Sequence, residues 1–444
     1  GLGFALVLAA CEQAATPTSV ELQALQSCGE VEQVVRQRLL DRMNAELDTA
    51  RDALLANRCR TYDYNDDYAR YGGAYEANSA ADSSSAGAPA PGAPPPPATG
   101  TAPQGEPNTG ASTYSTTNNQ VIGVDEADFL KNDARYFYVV ANGELQIIDA
   151  FPPEQATVLA RLPIEGTPTK LFVEAGRAVV FSRLSGSTGR ACTYGYDCQF
   201  TGEKGPTAIT FVDLADLSAP KVTRTFELSG GLLAARRIGS QVLAAVSFGA
   251  QPPPKYRTRP AGLPYCSDEA SVPNIYRAYA QLRDENTRLI EAAPLGEMVP
   301  KAIDRNAGVS LWNDCRGFFA QPGDDATQLT SVFSFDLTGE GELNAAVVVG
   351  RPGAVYANGR SLYVASRVQT EKPEVSAVHR FSIDGPKVGY AGSAKVPGHV
   401  LNQFSMDEHD GHLRIATSVG RVPDPKVHSV VTVLDAKGVG LVQT

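Results

Sequence analysis

From Gln120 onward, short apolar stretches alternate with turn residues, and one arrangement of them recurs. In each repeat an apolar stretch ends in an aspartate, a turn follows, and another apolar stretch returns. The instances are residues 145–149, 209–213, 332–336, 379–384 and 431–435. Further strands precede each instance, which makes four strands per unit, and the last two units lie about 50 residues apart. This number of strands and this spacing predict a mainly β protein, a β-propeller of four-stranded blades.

Five units can be counted, beginning near Phe129, Lys170, Leu232, Ala354 and Leu401. The fifth unit stops within its fourth strand, so we expect the five blades to form a truncated ring that further sequence completes. Residues 119–124 could supply a closing strand to the last blade. An open arc would expose an unpaired strand edge and apolar blade faces to water.

The third unit is interrupted by residues 247–331, which have a different character. A proline-rich run opens this insertion, and an amphipathic helix follows, with Ile275, Tyr279 and Leu282 on one side. Cys266 and Cys315 bracket the helix. Because an insertion of this length is usually functional or structured, we expect an ordered accessory of the propeller domain (119–444), held by a Cys266–Cys315 bridge.

A second helical pattern precedes the propeller, within residues 11–60. Apolar residues recur every three or four positions from Val31 to Leu54, and Ser27 and Glu30 fit a capping box. The apolar stripe is interpreted as a core face. Residues 61–118 are rich in alanine, serine, proline and glycine, so they are predicted to form a disordered linker, a spacer between helix and propeller.

The chain opens with a short apolar run, residues 1–10, which is interpreted as the remnant of a signal peptide. The sequence Leu8-Ala9-Ala10-Cys11 resembles the lipobox of bacterial lipoproteins, in which cleavage precedes the cysteine and the cysteine is lipidated. An ordinary signal peptide with a chance cysteine is the alternative. The resemblance implies a bacterial envelope protein anchored in membrane lipid through Cys11. Because Glu12 is not the aspartate associated with inner-membrane retention, the outer membrane is preferred. The extracellular face is the other expected location.

Six cysteines remain after Cys11, and an even number in an exported chain predicts disulfides. Proximity favours Cys192–Cys198 and Cys266–Cys315, which leaves Cys28 and Cys59. A straight helix would hold these two about 45 Å apart. Either the helix breaks near residues 44–48, or the two cysteines are free or pair elsewhere.

The net charge and the sequence motifs limit the ligands, metals and catalytic sites that can be expected. The net charge of −10, from 39 basic and 49 acidic residues, opposes nucleic-acid binding. Asp125, Glu126 and Asp128 are weak candidates for a calcium site, because they lack the spacing of a calcium loop. His409 and His412 flank a predicted Asp-Gly hairpin turn. No nucleophile elbow or phosphate loop is found. No cofactor is predicted, and calcium is the one possibility that the acidic cluster raises.

Residues 119–133 and 401–407 resemble corresponding motifs of the secreted bacterial β-propeller-domain family, a distant relative of the WD-repeat propellers. The resemblance covers residues 119–444 and implies a propeller fold and an exported location, with no catalytic residues to carry over. The leading hypothesis is a non-catalytic binding or scaffold lipoprotein that recognises an envelope protein or glycan. The alternative is a propeller hydrolase, lactonase-like or metal-dependent, which would need carboxylates or histidines converging on calcium or zinc in the central channel.

Overall fold

A computed structural model describes residues 19–20, 22–59, 119–184, 202, 205–248, 256–312, 315–320, 328–341, 343–368, 374–437 and 440–443. Two short strands, a long helix and a third short strand come first: β1 (Ser19–Val20), β2 (Gln23–Leu25), α1 (Cys28–Ala56) and β3 (Asp125–Glu126). The Ser27 hydroxyl accepts a hydrogen bond from the Glu30 amide at 3.2 Å, which caps α1 as predicted.

Five antiparallel four-stranded units follow, as the strand repeat predicts. The first unit contains β4 (Leu130–Asn132), β5 (Tyr136–Ala141), β6 (Glu144–Asp149), a 3-10 helix (Pro153–Gln155) and β7 (Thr157–Pro163). The second contains β8 (Thr167–Glu174), β9 (Arg177–Arg183), β10 (Thr207–Asp213) and β11 (Lys221–Leu228).

The third unit is the one that carries the insertion. It begins with β12 (Gly231–Ile238) and β13 (Gln241–Phe248). The insertion then supplies α2 (Val272–Ala292), α3 (Leu295–Met298), β14 (Ala302–Asp304), β15 (Val309–Trp312) and β16 (Phe318–Ala320). The unit ends with β17 (Leu329–Asp336) and β18 (Asn344–Val349).

The last two units have no insertion. The fourth contains β19 (Ala354–Ala357), β20 (Ser361–Val368), β21 (Val375–Asp384) and β22 (Lys387–Pro397). A second 3-10 helix (Gln403–Ser405) leads into the fifth, which contains β23 (Met406–His409), β24 (His412–Val419), β25 (His428–Asp435) and β26 (Val442–Gln443). Each unit is a blade, and the mainly β propeller prediction is confirmed.

Consecutive blades pack face to face through alternating apolar side chains. Leu145 and Ile147 of the first blade, for example, share a buried cluster with Leu171 and Val180 of the second. Similar clusters join the second blade to the third, the third to the fourth and the fourth to the fifth. Within the described residues, no apolar cluster joins the first blade to the fifth.

The two ends of the blades differ, and we call one of them the upper end. It is the end at which the second strand of a blade stops and the third begins, marked by Phe248 and Leu329 in the third blade and by Val368 and Val375 in the fourth. Because the insertion connects β13 to β17, it projects from the upper end of the third blade.

The insertion is ordered where it is described, and it widens two blades. Strand β14 pairs with β11 at the outer edge of the second blade, and β15 pairs with β14. Strand β16 pairs in parallel with β18 at the edge of the third blade, and β2 pairs with β16 in turn. The chain that precedes α1 is therefore built into the sheets of the propeller.

Helix α1 is continuous over 29 residues and packs against α2 and the third blade. Val31, Leu39 and Leu47 of its stripe share a buried cluster with Ile275 of α2 and Val347 of β18. The stripe is thus a core face, as predicted. Residues 61–118 lie outside the described residues; Cys59 and Asn119, near their two ends, both belong to this packed body.

The predicted Cys266–Cys315 bridge is wrong. Cys28 is bonded to Cys315, and Cys59 is bonded to Cys266, so no Cys266–Cys315 bridge exists. The unbroken α1 extends about 42 Å from Cys28 to Ala56 at 1.5 Å per residue, so Cys28 and Cys59 lie at opposite ends of it. Each cysteine meets the part of the insertion that packs beside its own end of the helix. Cys192 and Cys198 lie outside the described residues.

A buried polar chain ties the N-terminal segment to the fourth blade. The Leu22 amide donates to the Tyr390 hydroxyl at 3.3 Å, and Tyr390 donates to Ser393 Oγ at 2.9 Å. His379 Nδ1 lies 2.7 Å from the same Ser393 oxygen. Burial lowers the pKa of His379 to about 4, so the imidazole is neutral near pH 7 and can accept the Ser393 proton.

Candidate ligand-binding site

The hydrolase alternative predicted a metal ion in the central channel of the propeller. The first strands of the blades approach one another, with β4 against β8 and β12 against β19. The segment that precedes β4 runs along their edges: β3 pairs with β12, and Asp128 forms a β-bridge with Leu171 of β8. The chain itself therefore fills part of the channel.

The carboxylate of Asp125 is neutralised by two cations. Lys131 Nζ lies 2.6 Å from Asp125 Oδ1, and the Arg237 guanidinium lies 3.2 Å from Asp125 Oδ2. Lys131 is buried, and the Asp125 carboxylate compensates part of the cost of burying its ammonium group. The Asp128 carboxylate does not take part in this network. It accepts a hydrogen bond of 2.7 Å from the backbone N–H of Phe129.

Glu126 belongs to a second network around the buried Arg236. Gln403 Nε2 donates to the Glu126 carboxylate at 3.1 Å, and Arg236 donates to Gln403 Oε1 at 2.7 Å. The Arg236 guanidinium also lies 3.7 Å from Glu126 and donates to the Val355 carbonyl at 3.3 Å. Burial lowers the pKa of Arg236, and the Glu126 charge opposes that shift.

The three candidate metal ligands are thus adjacent but serve different partners. Across the described part of the chain, no group of three His, Cys, Asp or Glu side chains is arranged to hold a metal ion. His409 and His412 flank the turn between β23 and β24, as predicted, and His409 is exposed beside Asp410. The arrangement in the channel can stabilise the ring through ion pairs.

The two motifs that carry the family resemblance meet at this point. Gln403, from residues 401–407, contacts Glu126, from residues 119–133. Gln120 Nε2 also donates to the backbone carbonyl of Met406 at 2.9 Å. The two motifs therefore contact each other: residues 119–133, which precede the first blade, pack against residues 401–407, which lead into the fifth.

A cavity of about 840 Å³ lies elsewhere, between α1 and the upper end of the third blade. Seven of its lining residues come from the second half of α1, and Gln328 and Arg351 come from the ends of β17 and β18. The described residues that line it are Asp41, Arg42, Ala45, Glu46, Thr49, Ala50, Ala53, Thr258, Gln328 and Arg351. Helix α1 thus forms a roof over this end of the propeller.

Several contacts hold the roof to α2 and the insertion. Arg36 donates to the carbonyls of Glu291 at 2.8 Å and Ala293 at 3.0 Å, at the C-terminal end of α2. A guanidinium is favourable there because the helix dipole places negative charge at that end. Farther along α1, Asp48 accepts from Arg283 of α2 at 2.6 Å. The two disulfides fasten both ends of the same helix.

The roof side of the cavity carries one balanced pair of charges and, at its rim, the Asp41 carboxylate. Arg42 pairs with Glu46 at 2.8 Å, and Glu46 also accepts the Tyr256 hydroxyl proton at 2.8 Å. Burial and this hydrogen bond raise the pKa of Tyr256. Sequence reasoning missed the cavity because its walls come from segments up to 310 positions apart, and no local pattern marks it.

Five four-stranded blades, packed face to face in succession, define a β-propeller. The chain belongs to the family described as "Beta propeller domain", which matches residues 114–443. A stretch of 50 residues is 42% identical to an uncharacterized protein of Methanocaldococcus jannaschii. That stretch is 11% of this chain and only 8% of that protein.

Two solved structures show a distant likeness. One is a complex of S. cerevisiae Dbp5 with Nup159 and Gle1, with 8% identity, coverage of 73% of this chain and 82% of that chain, and a TM-score of 0.23. The other is the N-terminal domain of Nup159, with 8% identity, coverage of 73% and 83%, and a TM-score of 0.22. At these TM-scores the likeness supports no functional argument.

Proposed function

We propose that this protein is a lipid-anchored protein of the bacterial cell envelope whose propeller binds an envelope protein or glycan without converting it chemically. The observation that carries the proposal is the cavity under α1. It lies at the upper end of the blades, it has the volume of a small-ligand site, and disulfides hold its roof in place. The hydrolase alternative is not favoured, because Asp125 and Glu126 are already engaged by Lys131, Arg237 and Gln403.

The register of β1 supports an orientation for the proposed anchor. Strand β1 is antiparallel to β22, with Ser19 opposite Ala394, near the upper end of the fourth blade. The chain therefore enters β1 from the upper end. Cys11 precedes Ser19 by only eight positions, a reach of at most about 28 Å. A lipid on Cys11 would thus hold the upper end, with the cavity, close to the membrane. None of the helices in the described ranges is long and apolar enough to cross a bilayer.

The anchor is tested by Cys11→Ala in a bacterial host. We expect the variant to leave the membrane fraction and to take up no labelled fatty acid, because the acylated thiol is absent. Glu12→Asp is the matched control, which should keep the acylation and shift the protein toward the inner membrane. A Cys11→Ala protein that still sediments with membranes and still incorporates fatty acid would refute the anchor.

The binding site is tested by Ala50→Trp, which places an indole in the cavity. We expect the wild-type protein to give a calorimetric signal with a soluble digest of bacterial cell-wall peptidoglycan. Ala50→Trp should abolish that signal by steric exclusion. Gln33→Trp, on an exposed part of α1 outside the cavity, should bind like the wild type. If the wild type gives no signal, or a folded Ala50→Trp protein binds as well as Gln33→Trp, the proposed site is wrong.

A further inference from the structure

We infer that the cavity under α1 accepts a short peptide and that Arg351 binds its carboxylate. The inference rests on the proposed binding function and adds the chemical class of the ligand. Arg351 lies two residues beyond the end of β18, on the side of the cavity opposite α1.

Arg351 differs from the other arginines of this region because it is half-buried and has no partner among the described residues. Three arginines of α1 are engaged: Arg36 with carbonyls of α2, Arg38 with the Val349 carbonyl, and Arg42 with Glu46. A guanidinium is planar and presents paired N–H groups that match a carboxylate. A half-buried one without a counter-ion is therefore suited to an anionic group of a ligand.

The acidic residues of the cavity do not serve as that counter-ion. Glu46 is shared between Arg42 and Tyr256 on the roof. Asp41 lies at the exposed rim and accepts from Gln37 at 2.9 Å. The roof therefore carries one balanced pair and one rim carboxylate, and the opposite wall carries a positive charge that no described residue compensates. A ligand with a carboxylate at one end and an ammonium group at the other matches this separation of charge.

The remaining wall favours a peptide over an acidic sugar. Ala45, Ala50 and Ala53 present methyl groups to small side chains, while Gln328 and Thr258 offer donors and acceptors to peptide groups. No aromatic ring lines the cavity among the described residues, so the flat platform on which sugar rings pack is absent from that wall.

The test uses full-length protein and four forms of trialanine, with the carboxyl end free or amidated and the amino end free or acetylated. We expect the wild type to bind the free acid at least about tenfold more tightly than the amide, since hydrogen bonds to charged groups are the strong ones. Arg351→Gln should remove this preference, and Arg351→Lys should keep part of it. Arg360→Gln, an exposed arginine at the opposite end of the fourth blade, should leave the preference unchanged.

The outcomes separate this inference from the proposed function. If the acid and the amide bind equally and Ala50→Trp abolishes the binding of both, the cavity is still the binding site, and the role inferred for Arg351 is wrong. If no trialanine form binds while the peptidoglycan digest does, the peptide class is wrong and the binding function stands. Tighter binding of trigalacturonate than of trialanine would also overturn the inference, because it would identify an acidic glycan as the ligand.

Discussion

Replacing all four bridging cysteines by serine will destabilise the protein more than any single substitution considered above. The bridges span 287 and 207 positions of the chain, so each one restricts the unfolded chain strongly. Removing a native disulfide costs about 2–5 kcal/mol in small domains. We expect the variant to lower the free energy of unfolding by at least that amount and to loosen α1 from the third blade, which exposes the buried side chains of Val31, Leu39 and Leu47.

Urea unfolding followed by circular dichroism measures the loss, and binding of a hydrophobic dye reports the exposed face. Two double variants, Cys28→Ser with Cys315→Ser and Cys59→Ser with Cys266→Ser, serve as comparisons. Each should lose less than the fourfold variant, because one bridge still fastens one end of α1. An unfolding midpoint unchanged in all three variants would show that packing alone holds the helix.

Replacing Arg236 by methionine will weaken the centre of the ring. The substitution leaves Gln403 Oε1 and the Val355 carbonyl without a donor, and it removes the charge nearest to Glu126. Removal of one partner from a buried charged network costs about 3–5 kcal/mol. The loss should appear as a lower urea midpoint, with the fourth and fifth blades less protected from hydrogen exchange.

Arg161→Met is the matched control, because Arg161 pairs with Glu144 on the exposed side of the first blade at 3.4 Å. Surface pairs contribute about 0–1 kcal/mol, so this variant should resemble the wild type. Equal losses from Arg236→Met and Arg161→Met would mean that the central network adds nothing beyond an ordinary surface pair.

The channel shows how far a sequence motif can be interpreted. Three acidic residues within four positions gave a reason to consider calcium. Asp125 pairs with the nearby Lys131. The other cations, Arg237 beside Asp125 and Arg236 beside Glu126, lie about 110 positions away and reach them only because β12 pairs with β3. Whether a carboxylate is free to bind a metal depends on cations that the fold brings to it, and local spacing carries no information about those.

The disulfides also show that spacing along the sequence does not determine which side chains meet. Proximity in sequence favoured Cys266–Cys315, but each doubling of loop length adds only about 0.6 kcal/mol to the entropy of closure. Such a small increment cannot outweigh the packing of two helices. The positions of α1 and α2 relative to the third blade decide which sulfur atoms meet.

The sequence by itself determined the blades, the capped helix and the turn at Asp410, because strand alternation, helix periodicity and turn residues are local properties of the chain. Only the tertiary structure decided that α1 covers the upper end of the third blade and that disulfides bond both ends of α1 to the insertion. It also decided that Arg351 lies across a cavity from Ala50, with no partner among the described residues. These features arise from contacts between segments hundreds of residues apart, and such contacts are selected by the packing of whole elements.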